Sequence, residues 1–210
     1  MSARRKPVTG IHDGSAGDYR EVRGFLRDLD VLVSKDGHAP ETVQAVKRRL
    51  ADLIGQRPDF PGQVKSVSAD HYARHLLYRD PQERYEVIVM AWSPGQTTPI
   101  HDHSGIWCVE GVIEGVIDVT RYDLRAMIGK DAATMAQTEV IHAGLGQCGA
   151  LIPPVEYHRI SNPYERAAFT LHVYGGRMRT CRVFLDRGDG TYAVETKQLG
   201  TSTTTPALVA

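Results

Sequence analysis

Two histidines stand two positions apart in Gly95-Gln-Thr-Thr-Pro-Ile-His101-Asp-His103, just after a run of strand-forming residues and a Pro-Gly turn. On a strand, residues i and i+2 share a face, so both imidazoles can point into one cavity. His158 follows 55 positions after His103, in Pro153-Pro-Val-Glu-Tyr-His158-Arg-Ile-Ser-Asn162. Three imidazoles at the mouth of a β-barrel hold a divalent first-row metal and leave coordination positions open for substrate. An isolated His-x-His pair is more simply two hydrogen-bonded histidines; the third residue and the surrounding spacing favour the metal. A further candidate is Thr170-Leu-His172-Val-Tyr174, whose hydroxyl, imidazole and phenol alternate onto one strand face. The remaining five of the nine histidines, at positions 12, 38, 71, 75 and 142, carry no motif.

The elements that must position these residues are strands. From Tyr72 to Gly200 the chain offers ten short Val-, Ile-, Tyr- and Thr-rich runs punctuated by Gly, Pro and Asp, with no helix between them. That pattern predicts an antiparallel sandwich or barrel. Before it lie two amphipathic helices. Tyr19, Val22, Phe25, Leu26, Leu29 and Leu32 recur at steps of three and four between Asp18 and Val33, and Val43, Val46, Leu50, Leu53 and Ile54 do so between Pro40 and Gln56. The expected organisation is a flexible polar segment over 1–15, one domain over 16–200 (helices about 18–56, barrel about 70–200) and a Thr-rich tail over 201–210, both ends being frayed or used for docking.

The composition narrows the function. Among 210 residues, 25 Lys plus Arg balance 25 Asp plus Glu, so nothing global attracts a polyanion and a dedicated nucleic-acid binder is not expected. Three widely spaced cysteines, Cys108, Cys148 and Cys181, make neither a metal knuckle nor a secreted disulfide framework. No apolar run approaches a membrane span and no export signal opens the chain, so a cytoplasmic protein with no membrane and no evident protein partner is expected.

The spacing of the histidine segments resembles the two motifs of the cupin superfamily. Gly95, His101, His103 and Gly115 match the first, and Pro153, His158 and Asn162 the second, with Val155 where that pattern has Gly. The resemblance implies an all-β core, a cupin jelly-roll β-barrel with N-terminal α-helices. Ordinary cupins add a Glu ligand four or five positions after the second histidine; here the fifth position is Cys108, and the nearest acid, Glu110, lies two further on. A three-histidine site without a carboxylate is therefore expected.

Cys108, Tyr72-Ala-Arg74 and Thr170-Leu-His172-Val-Tyr174 together resemble the type I cysteine dioxygenase family, over roughly residues 70–186. The resemblance implies one Fe(II) per chain on His101, His103 and His158, a substrate carboxylate held by Arg74 with Tyr174, a Thr170-His172-Tyr174 relay in which His172 directs the Tyr174 hydroxyl, and a Cys108–Tyr174 thioether cross-link. Three neutral imidazoles leave the charge of the cation uncompensated, which favours a thiolate ligand. Three positions of an octahedral ion then remain for the substrate's sulfur, its amine and O2. Arg79, Arg84, Arg159, Arg177, Arg179 and Arg182 compete with Arg74 for the carboxylate. Thr170 stands where the family usually has Ser. Gly175-Gly176 replaces the Ser-Pro of the animal enzymes and looks like bacterial relatives that oxidise 3-mercaptopropionate, but those usually lack the Arg and the Cys. The expected reaction is oxidation of L-cysteine by O2 to cysteine sulfinate. The alternatives are 3-mercaptopropionate oxidation, a non-catalytic metal- or ligand-binding cupin, and a different metallo-cupin enzyme such as a Zn or Mn isomerase. Trp92 and Trp107 read as packing residues, Trp107 being near enough to shape the pocket wall.

Overall fold

The computed structural model describes residues 18–154, 157–202 and 206–208. The polar N-terminal segment, His12, the motif position Val155 and Thr203 to Thr205 lie outside the described residues. Two helices, α1 (Arg20–Asp36) and α2 (Pro40–Gly55), precede eleven strands. These are β1 (Ala73–Arg79), β2 (Glu86–Trp92), β3 (Ile100–His101), β4 (Cys108–Glu114), β5 (Val116–Ile128), β6 (Ala132–Gly144), β7 (Cys148–Leu151), β8 (His158–Ser161), β9 (Ala168–Tyr174), β10 (Thr180–Asp186) and β11 (Tyr192–Gln198). The all-β core with N-terminal helices is the cupin architecture. Among the described residues, no helix is long and apolar enough to cross a membrane.

The strands form two antiparallel layers. One is a five-stranded sheet in the order β1-β2-β9-β4-β7; in the other, β10-β11-β6-β5-β8-β3, the order closes on itself. Strand alternation gives the first sheet two buried faces. Val87, Val89, Val109, Leu171 and Val173 point outward into a cluster with Val22, Phe25, Leu26 and Leu29 of α1 and Val43, Val46, Leu50 and Leu53 of α2. Ile88, Met90, Trp92, Cys108, Val112 and Tyr174 point inward, against Ile117, Val119, Ile160 and Val183 of the other layer. Every residue of β2 and β9 is buried, which is why both read in the sequence as near-continuous apolar runs. Each fully buried Leu or Phe contributes roughly 1.5–3 kcal/mol of transfer free energy. A polar tie supplements this: the Tyr85 hydroxyl donates to Asp30 of α1 at 2.9 Å and Arg84 reaches the same carboxylate at 2.8 Å.

Two features differ from the sequence expectation. The hairpin β5–β6 runs thirteen residues on each side, well beyond the two short strands expected there. Its far half joins only a side cluster, where Ala133 packs with Ile100, Tyr122 and Phe184, and it carries exposed Met127 and Ile128, so its sequence lacks the apolar alternation that marks a strand. His101 ends the two-residue β3, and His103 lies beyond it in a turn closed by Ile106 N–H to the His103 carbonyl at 3.0 Å. The two rings meet through that turn, not through strand alternation. Of the two outcomes expected for the tail, its described part takes docking, along β1: Ser202 N–H donates to the Arg74 carbonyl at 2.7 Å, Ala207 N–H to the Leu76 carbonyl at 3.0 Å and Leu208 N–H to the Leu77 carbonyl at 2.9 Å.

Candidate active site

The hydroxyl, imidazole, thiol and guanidinium groups singled out in the sequence converge between the two layers. His101 and His158 are cross-strand partners on β3 and β8, their ring centroids 4.4 Å apart. His103 stands 5.4 Å from His101 and 5.0 Å from His158. One ligand atom from each of the three lies within 4.8 Å of the others. The Pro99 carbonyl accepts from His101 Nδ1 at 3.1 Å, which leaves Nε2 as the free lone pair. His103 Nδ1 is buried without a hydrogen-bond partner. Burial, with the charge of Arg74 adding to it, pulls His101 down to about 4, and burial beside His158 and His101 holds His103 well below the usual imidazole range. Neutral rings converging on one point, one with an unmet buried nitrogen, fit a divalent cation.

The turn that carries His103 is fixed by a residue the motif reading passed over. Asp102, 1 % exposed, accepts from Arg182 Nε at 2.6 Å, Arg182 N–H at 2.8 Å and Ser104 N–H at 3.2 Å. The signal available in the sequence was an acid between two histidines.

The five-stranded sheet supplies the opposite wall. Arg74 on β1 lines the same chamber as the three histidines, together with Tyr72, Met90, His172, Tyr174, Met178, Cys181 and Leu199. Its guanidinium carbon lies 5.6 Å from the centroid of the Tyr174 ring, and its Nε is buried without a hydrogen-bond partner. The competing arginines are engaged elsewhere: Arg79 with Glu86, Arg84 with Asp80 and Asp30, Arg177 and Arg179 with Glu83, and Arg182 with Asp102. Arg159 is absent from the chamber wall.

Cys108 and Tyr174 are direct cross-strand partners on β4 and β9. Burial first, and the Glu110 charge second, raise the Cys108 thiol well above its usual range, while its hydrogen bond with Tyr174 works the other way. Burial likewise raises Tyr174, against the pull of Arg74. Thr170 Oγ1 and His172 Nε2 are 2.7 Å apart. His172 Nδ1 faces Glu110 Oε2 at 3.3 Å and Cys108 Sγ at 3.9 Å, and its contact with Tyr174 is a ring stack, 5.9 Å between centroids and 13° between planes. A residue missed in the sequence, Glu110, therefore belongs to the site. Burial lifts its pKa to about 7 and lowers His172 to about 3, so the two do not meet as an ion pair, and Glu110 Oε2 is buried without a hydrogen-bond partner.

Trp107 does not line the chamber. Its indole packs in the helix-facing core, donates to the Gly37 carbonyl at 2.6 Å and lies where a Cβ on Gly175 would stand. Gly175 is thus required by packing. Gly115 is required too: it has φ +79° and a Cβ there would meet the Ala167 carbonyl at 2.8 Å.

The family model described as cysteine dioxygenase type I matches residues 63–187. The chain belongs to that family. It is 25 % identical over 174 residues to cysteine dioxygenase type 1 of Rattus norvegicus, covering 80 % of each chain. It is 24 % identical over 169 residues to cysteine dioxygenase type 1 of Homo sapiens, again covering 80 % of each. Among solved structures, a protein with a double-stranded β-helix domain from Klebsiella pneumoniae aligns with TM-score 0.41 and 18 % identity, over 65 % of this chain and 96 % of that one.

Proposed function

We propose that this protein is a non-haem iron(II) thiol dioxygenase that oxidises L-cysteine with O2 to cysteine sulfinate. The observation that carries the reading is Arg74: a half-buried side chain whose buried Nε has no hydrogen-bond partner, facing a chamber whose far wall is three neutral imidazoles. His101, His103 and His158 would hold one Fe(II), which when bound supplies the acidity that ionises a thiol and the electrons that activate O2.

The chain's own residues do the rest. Arg74 meets the substrate carboxylate with a charge-assisted fork, offsetting the cost of keeping that cation partly buried. Tyr174, between Arg74 and Cys108, adds a hydroxyl donor on the same side. The walls supplied by Met90, Ile160, Met178 and Val183 exclude water, so these charge interactions act in a low local dielectric. The register of Cys108 opposite Tyr174 supports a thioether between its sulfur and that ring.

Two points favour L-cysteine over 3-mercaptopropionate. Arg74 and Cys108 are both retained, and the Gly175 that resembled the second group is accounted for by the Trp107 indole resting on it. The test is O2 uptake and sulfinate formation by iron-loaded protein with each thiol. Turnover with L-cysteine is expected; preference for 3-mercaptopropionate would overturn the substrate, and no turnover with either would overturn the reaction and leave a binding cupin. Cys108→Ser should abolish a species lighter by two hydrogens in intact mass spectra.

A further inference from the structure

We infer that Cys108, Glu110 and His172 form a second metal site, suited to a thiophilic dication such as zinc and separate from the three-histidine cluster. The strand register builds it. Cys108 and Glu110 lie two apart on β4 and share a face, and Glu110 is the direct cross-strand partner of His172 on β9. One ligand atom from each of the three lies within 4.8 Å of the others. His172 Nδ1 stands 3.3 Å from Glu110 Oε2 and 3.9 Å from Cys108 Sγ. A tetrahedral zinc ion, with bonds of about 2.0 Å to nitrogen or oxygen and about 2.3 Å to sulfur, spaces its ligands roughly 3.3–3.6 Å apart. The nitrogen–oxygen pair already stands at that spacing, and the sulfur has a short way to close.

Three further observations point to a cation. Glu110 is 6 % exposed and its Oε2 is buried without a hydrogen-bond partner, so that oxygen has given up water and gained nothing in exchange. A thiolate and a carboxylate together cancel the charge of a dication, which lets it sit neutral in a closed site, whereas three imidazoles leave theirs charged. The third observation concerns the far side of the His172 ring. Its Nε2 lies 2.7 Å from Thr170 Oγ1, an oxygen that also accepts from the Trp92 indole at 3.0 Å. A hydroxyl oxygen has two lone pairs and takes both donors, so an ion on Nδ1 selects the Nε2–H form and finds it already supported.

Glu110 and Thr170 also line a cavity whose rim carries the exposed Arg121 and Gln147, a route for the ion other than the histidine chamber. Binding replaces the Cys108 thiol proton, which leaves to solvent. An ion held here occupies the sulfur that would join Tyr174, so the metal and the thioether exclude each other. That consequence rests on the thiol dioxygenase reading; the site itself does not.

Cobalt(II) standing in for zinc reads the site directly, because a thiolate ligand gives a near-ultraviolet charge-transfer band that imidazoles do not give. Reduced, metal-free protein whose intact mass shows no cross-link should develop this band on titration with cobalt(II). The band should vanish in Cys108→Ser, persist in Cys148→Ser, Cys181→Ser and His158→Ala, and need about tenfold or more higher cobalt(II) in Glu110→Gln and in His172→Gln. A wild type without the band, a band that survives Cys108→Ser, or unchanged affinity in both Glu110→Gln and His172→Gln would overturn the inference. In iron-loaded protein given L-cysteine and O2, zinc should suppress the species lighter by two hydrogens in the wild type much more than in Glu110→Gln; equal suppression would refute the exclusion. A wild type that forms no such species without zinc and turns over no thiol would sink the proposed function and leave the cobalt spectra standing.

Discussion

The two layers of the barrel divide the site between them. The closed layer brings His101 and His158 on β3 and β8, with His103 in the turn that follows; the five-stranded sheet brings Arg74, Cys108, Glu110, Thr170, His172 and Tyr174 on β1, β4 and β9. On the first side each nitrogen is held by a local device, the Pro99 carbonyl for His101 and the Asp102–Arg182 lock for the His103 turn. On the second side the groups are held by one another, in a row from Trp92 through Thr170 to His172 and a pair from Arg74 to Tyr174. A metal needs several fixed lone pairs aimed at one point. A substrate and a reactive thiol need a connected set of donors that can respond together. The helices cover only the second sheet, so the layer that handles the substrate is also the one buttressed on its outer face.

If that division is real, damage to each layer should have its own signature. The largest effect is expected from His158→Ala, which should lose iron and activity together, read as metal per chain and O2 uptake; retained iron would remove His158 from the ligand set. Arg74→Gln should keep its iron and lower kcat/KM for L-cysteine by about 10- to 100-fold, carried mainly by KM, because one charged fork to the carboxylate is lost. An unchanged KM would take Arg74 out of the substrate layer.

Gly175→Ala tests the buttress. A methyl driven into the Trp107 indole should cost about 1–3 kcal/mol in denaturant unfolding, with iron per folded chain unchanged. A neutral effect would mean that the indole moves freely and that the outer core does not brace β9.

The smallest expected effect is one of pH. Burial raises Glu110 from 4.5 to about 7, so between those values the folded protein holds a proton that the unfolded chain has released. Stability of the metal-free protein should therefore fall as pH rises through that window, by at most about 3 kcal/mol. Glu110→Gln should remove that component of the slope; an identical slope in the variant would place the titration elsewhere.

The same two layers differ in how far they can be read from sequence. His101, His103 and His158 follow a spacing that survives in a single chain, and Arg74, Cys108 and Tyr174 stand in short motifs. Glu110 was visible only as an acid too far along to be the missing ligand. Its partnership with His172 depends on the pairing of β4 with β9, a contact across 62 residues that no local pattern encodes. The His172 contacts are hidden for the same reason: the sequence places Thr170, His172 and Tyr174 on one face, but ring rotation decides which neighbour each nitrogen meets. Asp102 was hidden between two stronger signals. The docked tail was partly legible, since its Thr-rich composition marks an end but not the edge of β1 on which it settles.

The central claim, that the two layers together place both atoms of O2 on a thiol, is tested most directly by isotope. Iron-loaded protein turning over L-cysteine under oxygen-18 gas should give cysteine sulfinate carrying two labelled oxygens. Product with one labelled oxygen, or oxidised thiol recovered only as unlabelled disulfide, would contradict it.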